Sequence, residues 1–85
     1  MKKIWAKTLK EHKIMNEYLL VLDSFNYDNL YDYLKEICYE LKIETPIILS
    51  KHKNQFAEFS MTQFTKEDFI DSIDFERLVV EYFEE

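Results

Sequence analysis

From Tyr27 to Leu41 the apolar residues Tyr27, Leu30, Tyr31, Leu34, Ile37, Cys38 and Leu41 recur at intervals of three and four. That spacing gathers them within about 120° of one face, the mark of an amphipathic helix. Asn26 is placed to cap its start, because a short polar side chain can accept from the first free backbone N–H groups. Pro46 bars continuation, and Thr45 before it is pushed to extended backbone. The pattern predicts one long helix over residues 27–42.

On both sides of this segment the pattern changes. Lys3 to Lys10 sets Ile4, Trp5, Ala6 and Leu9 among lysines, and Ile14 to Leu22 is β-prone and apolar at its end. Both read as strands, and the short polar Glu11-His12-Lys13 between them makes an antiparallel hairpin. Beyond the helix, Pro46 to Leu49 reads as a short buried-type strand. Ser50 can cap a short helix that turns Phe56 and Phe59 inward. Ser60 to Phe64 reads as another strand. Thr65-Lys66-Glu67-Asp68 has the form of a capping box, so a helical turn is expected through Phe69 and Ile70. Arg77 to Phe83 alternates Leu78, Val80 and Tyr82 with Val79, Glu81 and Phe83, as a terminal strand does.

The order ββα-β-(short helix)-β-β predicts an α+β fold. It is a mixed sheet of four to five strands with the long amphipathic helix on one face. Charge suggests how the ends meet. Residues 1–13 hold five Lys and one Glu, and residues 66–85 hold eight acids with Lys66 and Arg77. Opposite charges across neighbouring strands stabilise the pairing, so the first and last strands are expected side by side. A β-grasp-like sheet places them there in parallel.

Composition narrows the class. At 85 residues, 47% of them apolar, the chain suits one packed domain, 1–85, with a single core. The longest apolar run, Tyr18 to Leu22, is far short of the ~20 residues of a membrane span. The lysines and Glu11 near the start leave no room for the apolar stretch of a signal peptide. A lone Cys excludes an internal disulfide, and together these features favour the cytoplasm. The net charge of −6 argues against nucleic acid or an anionic membrane as partner and favours basic ones. There is no glycine at all, against an average near 7%. Phosphate-cradling loops, which need glycine, are therefore absent, and no cofactor is expected. The turns fall to Asn, Asp, Lys and Ser in ordinary conformations.

Several segments carry a resemblance. Ile37-Cys38-Tyr39-Glu40-Leu41, Thr45-Pro46-Ile47, Phe56, Phe59, Thr62-Gln63-Phe64, Asp68-Phe69-Ile70 and Ile73-Asp74-Phe75, with Ile4-Trp5 and Leu78, resemble a family of short acidic proteins from Gram-positive anaerobic bacteria. The likeness spans most of the chain. It implies a stand-alone cytoplasmic bacterial protein and, the family having no assigned activity, no site residues.

Candidate chemistry is sparse. His12, His52 and Cys38 are not spaced as zinc ligands; two solvent-facing histidines and a core cysteine account for them. Asp68, Asp71 and Asp74 would share a face if helical, but they lack the alternating acids and central Gly of a calcium loop, and a solvated acidic turn accounts for them. Cys38 and His52 could be read as a thiol pair, yet Cys38 falls in the middle of the apolar stripe, where a thiol is inert. No catalytic, cofactor or metal residue is assigned, and the chain is not expected to be an enzyme.

One constellation is sharper. Asp28, Asp32, Glu36 and Glu40 are spaced by four on the helix, opposite its apolar stripe, with Tyr39 among them. Like charges at this spacing oppose the helix by about 0.2–0.5 kcal/mol per pair. An acidic, aromatic face can meet a basic protein; the plainer account is a solvated helix face. The other interaction surface is a sheet edge, for which the strand ending Tyr18 to Leu22 is the most apolar candidate. The sequence thus points to a non-enzymatic protein-binding or regulatory module acting through an acidic helix face or a sheet edge. The alternative is an acidic inhibitor or antidote that imitates nucleic-acid charge. A small enzyme, which needs a pocket of converging polar groups, comes third.

Overall fold

The computed structural model describes residues 1–85. Four strands, β1 (Lys2–Lys10), β2 (Lys13–Leu22), β3 (Met61–Thr65) and β4 (Arg77–Glu84), form one sheet in the order β2-β1-β4-β3. Two helices, α1 (Leu30–Leu41) and α2 (Ser50–Phe59), connect β2 to β3. No helix is long and apolar enough to cross a membrane.

The period-two alternation of the strands defines the core. Ile4, Ala6 and Thr8 of β1, Thr62 and Phe64 of β3, and Leu78 and Val80 of β4 point to one face and are buried. Leu30, Leu34, Ile37 and Cys38 of α1 and Phe56 of α2 close over them, with Phe69 and Phe75 from the loop before β4. Fully burying side chains of this size contributes about 1.5–3 kcal/mol each. Of the helical stripe read from the sequence, Leu30, Leu34, Ile37 and Cys38 form the seam between α1 and the sheet, while Tyr27 and Tyr31 are exposed; the architecture is α+β with both helices on one face.

The first and last strands are neighbours, as the charge asymmetry suggested. Lys2 stands opposite Glu84. Lys3 Nζ pairs with Glu85 Oε2 at 2.9 Å, and the amino terminus donates to the Glu85 carbonyl at 2.5 Å.

The finer expectations need correction. The sheet is antiparallel throughout, not mixed, and β1 meets β4 antiparallel. A β-grasp-like arrangement, with the first and last strands adjacent and parallel, is thus not formed. Pro46 to Leu49, expected as a fifth strand, is not one. Pro46 has no N–H to give a ladder, and a single backbone bond, Ile47 N to Asp68 O at 2.7 Å, ties the segment down. The whole stretch from α1 to α2 is a crossover from one sheet edge, β2, to the other, β3.

The long helix is also shorter than expected. Tyr27–Asn29 is a 3-10 turn, whose start Asn26 caps by accepting from Asp28 N at 2.9 Å, and the α-helix proper begins at Leu30. It ends at Lys42, whose left-handed backbone (φ 60°) lets Lys42 and Ile43 close the last carbonyls. Thr65 and Asp68 form the expected N-terminal turn, with Thr65 N donating to Asp68 Oδ2 at 2.9 Å. The turn stops there: Phe69 is extended and buried, and Ile70 is exposed.

Nor are the turns conformationally ordinary. Glu11, His12, Lys42 and Ser60 all take positive φ. A two-residue hairpin loop of the kind formed here, with a twist matched to its strands, takes positive φ at both positions. Without glycine, Glu11 and His12 take it at a cost of about 1–2 kcal/mol per residue.

Candidate functional site

The acidic row stands where the helical period places it. Asp28 lies on the 3-10 turn; Asp32, Glu36, Tyr39 and Glu40 follow on α1, and all five are exposed. Tyr39 is 80% exposed. Asp32, Glu36 and Tyr39 come together with Leu22, Tyr33 and Lys35 around one shallow depression, whereas Asp28 and Glu40 lie outside it. Lys35 forms no ion pair with the row and instead sits 5.6 Å from the centre of the Tyr31 ring. The face is therefore a line of carboxylates in water, with an aromatic ring standing among them.

The second candidate surface is β2. It is the outermost strand on one side of the sheet, so its outer edge pairs with nothing in the chain. Ile14, Met15, Leu19 and Val21 are 42–49% exposed along it. Both helices pack on the opposite face of the sheet, and the uncovered face continues from Leu19 to Trp5 in direct register. The Trp5 indole donates to Glu17 Oε1 at 2.8 Å. A long apolar edge with few charges is a surface that proteins ordinarily cover or blunt.

The remaining titratable residues divide differently from the sequence reading. His52 is not solvent-facing: it is 1% exposed, on the first turn of α2. Its Nδ1 accepts from Leu49 N at 2.9 Å, which caps the helix through a side chain three residues inside it. The single proton of the neutral ring must then sit on Nε2. That atom is buried without a hydrogen-bond partner, 3.4 Å from Asp68 Oδ2. Burial holds the imidazole below its ordinary value of 6.5; Asp68 pulls it back and Lys51 pushes it further down. The histidine at the third position of the turn was the available signal in the sequence, but histidine is not a usual capping residue. The pair is closed off from solvent and its ring lies on Phe64, with centroids 4.3 Å apart.

Cys38 is buried, and burial pushes its thiol up to about 12, with a Thr45 hydrogen bond acting against the rise. The structure does not pair it with His52. Asp68 turns inward, away from Asp71 and Asp74, which are exposed and share a depression with Glu44. The run is not helical, so the three aspartates share no face. No group of three or more His, Cys, Asp or Glu side chains is arranged to hold a metal ion.

Comparison with family models, with curated proteins and with solved structures gives no match to this chain.

Proposed function

We propose that the chain is a small non-enzymatic protein-binding module whose contact surface is the free edge of β2, and that the strand it takes up is β2 of a second copy. The observation that carries the reading is the ten-residue outermost strand with Ile14, Met15, Leu19 and Val21 all in water. Main-chain hydrogen bonds along such an edge supply affinity, and alternate side chains supply specificity.

A bulge at Met15 interrupts the strand, and β2 is regular from Asn16 to Leu22. Two copies laid antiparallel over that stretch about Leu19 oppose Glu17 to Val21 and Tyr18 to Leu20, with no like-charge pair, as an isologous interface allows.

Light scattering on the eluting protein at micromolar concentration tests this. The expected result is twice the chain mass, reduced to a monomer by Leu19→Lys or Val21→Lys. A monomer for the unaltered chain at about 100 μM, weaker than any specific dimer of use, would refute it.

A second reading rests on the exposed row Asp28, Asp32, Glu36 and Glu40 with Tyr39. It assigns the chain a basic protein partner, or in its extreme form the role of a nucleic-acid-mimicking inhibitor. Capture of a basic protein that falls steeply with salt, and is lost in Glu36→Gln/Glu40→Gln while Leu19→Lys leaves it intact, would favour this reading over the strand edge.

A further inference from the structure

The segment Pro46 to Leu49, between the two helices, is fastened at few points. Pro46 has no N–H to give. Two backbone donors of the segment are bonded: Ile47 N gives to Asp68 O at 2.7 Å, and Leu49 N gives to His52 Nδ1 at 2.9 Å. Buried Pro46 and half-buried Ile48 add apolar contact. Both polar ties therefore run to one pair of residues, His52 and Asp68, whose side chains face each other with Nε2 3.4 Å from Oδ2. Asp68 is itself fixed, because its Oδ2 accepts from Thr65 N at 2.9 Å. The pair joins three pieces that are distant in sequence: the segment before α2, the first turn of α2 and the turn after β3.

The Leu49 bond admits one protonation state of the ring. An imidazole nitrogen accepts a hydrogen bond only while it carries no proton, so Nδ1 is bare and the ring neutral. A second proton would set Nδ1–H against Leu49 N–H, two donors at the distance of a hydrogen bond. It would also put a cation in the first turn of α2, at the positive end of the helix dipole.

The surroundings divide on the same point. Burial disfavours the imidazolium, Asp68 draws a proton to the ring, and Lys51 beside it on α2 repels one. From β3 the ring meets Phe64, which carries no charge. Asp68 faces Nε2 rather than Nδ1, so its pull on a protonated ring does nothing for the donor that Leu49 N would leave unbonded. The strands differ in this respect: β4 is held between β1 and β3 by backbone groups, which do not titrate.

We propose that His52 is a proton-operated latch on this segment: neutral, it holds Leu49 N and closes the start of α2; protonated, it keeps Asp68 and releases Leu49, while the sheet stays formed. The device lies in the order of the contacts. One ring serves as acceptor on one side and donor on the other, and a single added proton removes the first role and strengthens the second.

Native-state amide exchange of the intact chain, each rate divided by that of the unstructured peptide at the same pH, reads the opening at Leu49. The closed form holds a neutral ring and the open form takes up a proton near pH 6.5. Opening should therefore rise on acidification, at most about tenfold per pH unit, and up to about thirtyfold between about pH 7.5 and about pH 5. Val80, at the centre of the ladder, should stay at least about a hundredfold better protected than Leu49 at both values, because its exchange needs the sheet to open. Imidazole nitrogen shifts at about pH 7.5 should show a bare Nδ1 and a protonated Nε2 on His52. His52→Gln keeps an acceptor at the third position of the turn and has no proton to take up, so its Leu49 protection should change less than about threefold over the interval. Flat Leu49 protection in the parent, equal protection of Leu49 and Val80, a proton on Nδ1 at the higher pH, or the parent's dependence surviving in His52→Gln would each overturn the proposal. All but the last are read on the unaltered chain, so they stand even if the variant fails to fold.

Discussion

Replacing His52 with Leu should leave stability at pH 8 nearly unchanged and remove an acid-sensitive component of folding. Two terms oppose at this position. The substitution deletes the Nδ1 acceptor of Leu49 N, a capping bond of 2.9 Å; losing such a cap costs about 0.5–2 kcal/mol. It also deletes Nε2, a buried polar atom that makes no well-formed hydrogen bond but lies 3.4 Å from Asp68 Oδ2; removing a poorly satisfied buried group restores at most about 1–3 kcal/mol, less the attraction to Asp68 that is lost with it. Leucine keeps an apolar contact with Phe64. The difference is expected within about 1 kcal/mol of zero.

The pH dependence is where the two proteins should part. Nδ1 can accept from Leu49 N only while it carries no proton, and burial further disfavours the imidazolium. The folded pKa therefore lies below 6.5, whereas the unfolded chain takes up a proton near that value. Stability that is fully present above the unfolded pKa is lost as pH falls from about 6.5 towards the folded value, at a slope of at most about 1.4 kcal/mol per pH unit. Urea unfolding followed by Trp5 fluorescence between pH 8 and pH 5 measures this. The parent protein should weaken on acidification through that window, and His52→Leu should lack the histidine contribution. Identical pH slopes for the two, or a loss above about 3 kcal/mol for His52→Leu at pH 8, would refute the reasoning.

Two further outcomes follow from the same geometry. With its thiol buried and pushed up to about 12, Cys38 should resist a thiol reagent at pH 8 in the native protein and react at once in urea; rapid native reaction would place it outside the core. His12→Gly, at φ 66° in the hairpin loop with an exposed side chain, should raise stability by about 0.5–1 kcal/mol, read as a higher melting temperature, because glycine takes that conformation without the Cβ clash.

How much of this was legible beforehand differs from element to element. The amphipathic α1, the β1–β2 hairpin, β4 and the turn at Thr65 to Asp68 were readable because each is determined by neighbours a few positions away: a period of 3.6, a period of two, a capping side chain at a fixed offset. The exposure of Asp28, Asp32, Glu36, Tyr39 and Glu40 followed from the same period, since the face opposite an apolar stripe that carries a row of carboxylates stays in water. The adjacency of β1 and β4 was readable from charge alone.

What the tertiary structure decided were the relations between distant segments. Whether Pro46 to Leu49 finds a ladder, and that β4 runs antiparallel to β1, are set by which strands meet in the assembled sheet. His52 reads as a polar residue among lysines until Phe64 and Asp68, twelve and sixteen positions on, close over it. Phe56 and Phe59 of α2 read as a pair turned inward, yet Phe56 is buried and Phe59 is 65% exposed. Local sequence carries short-range hydrogen bonding and periodicity; burial and register are properties of the packed whole, settled by which apolar surfaces meet once the chain has closed.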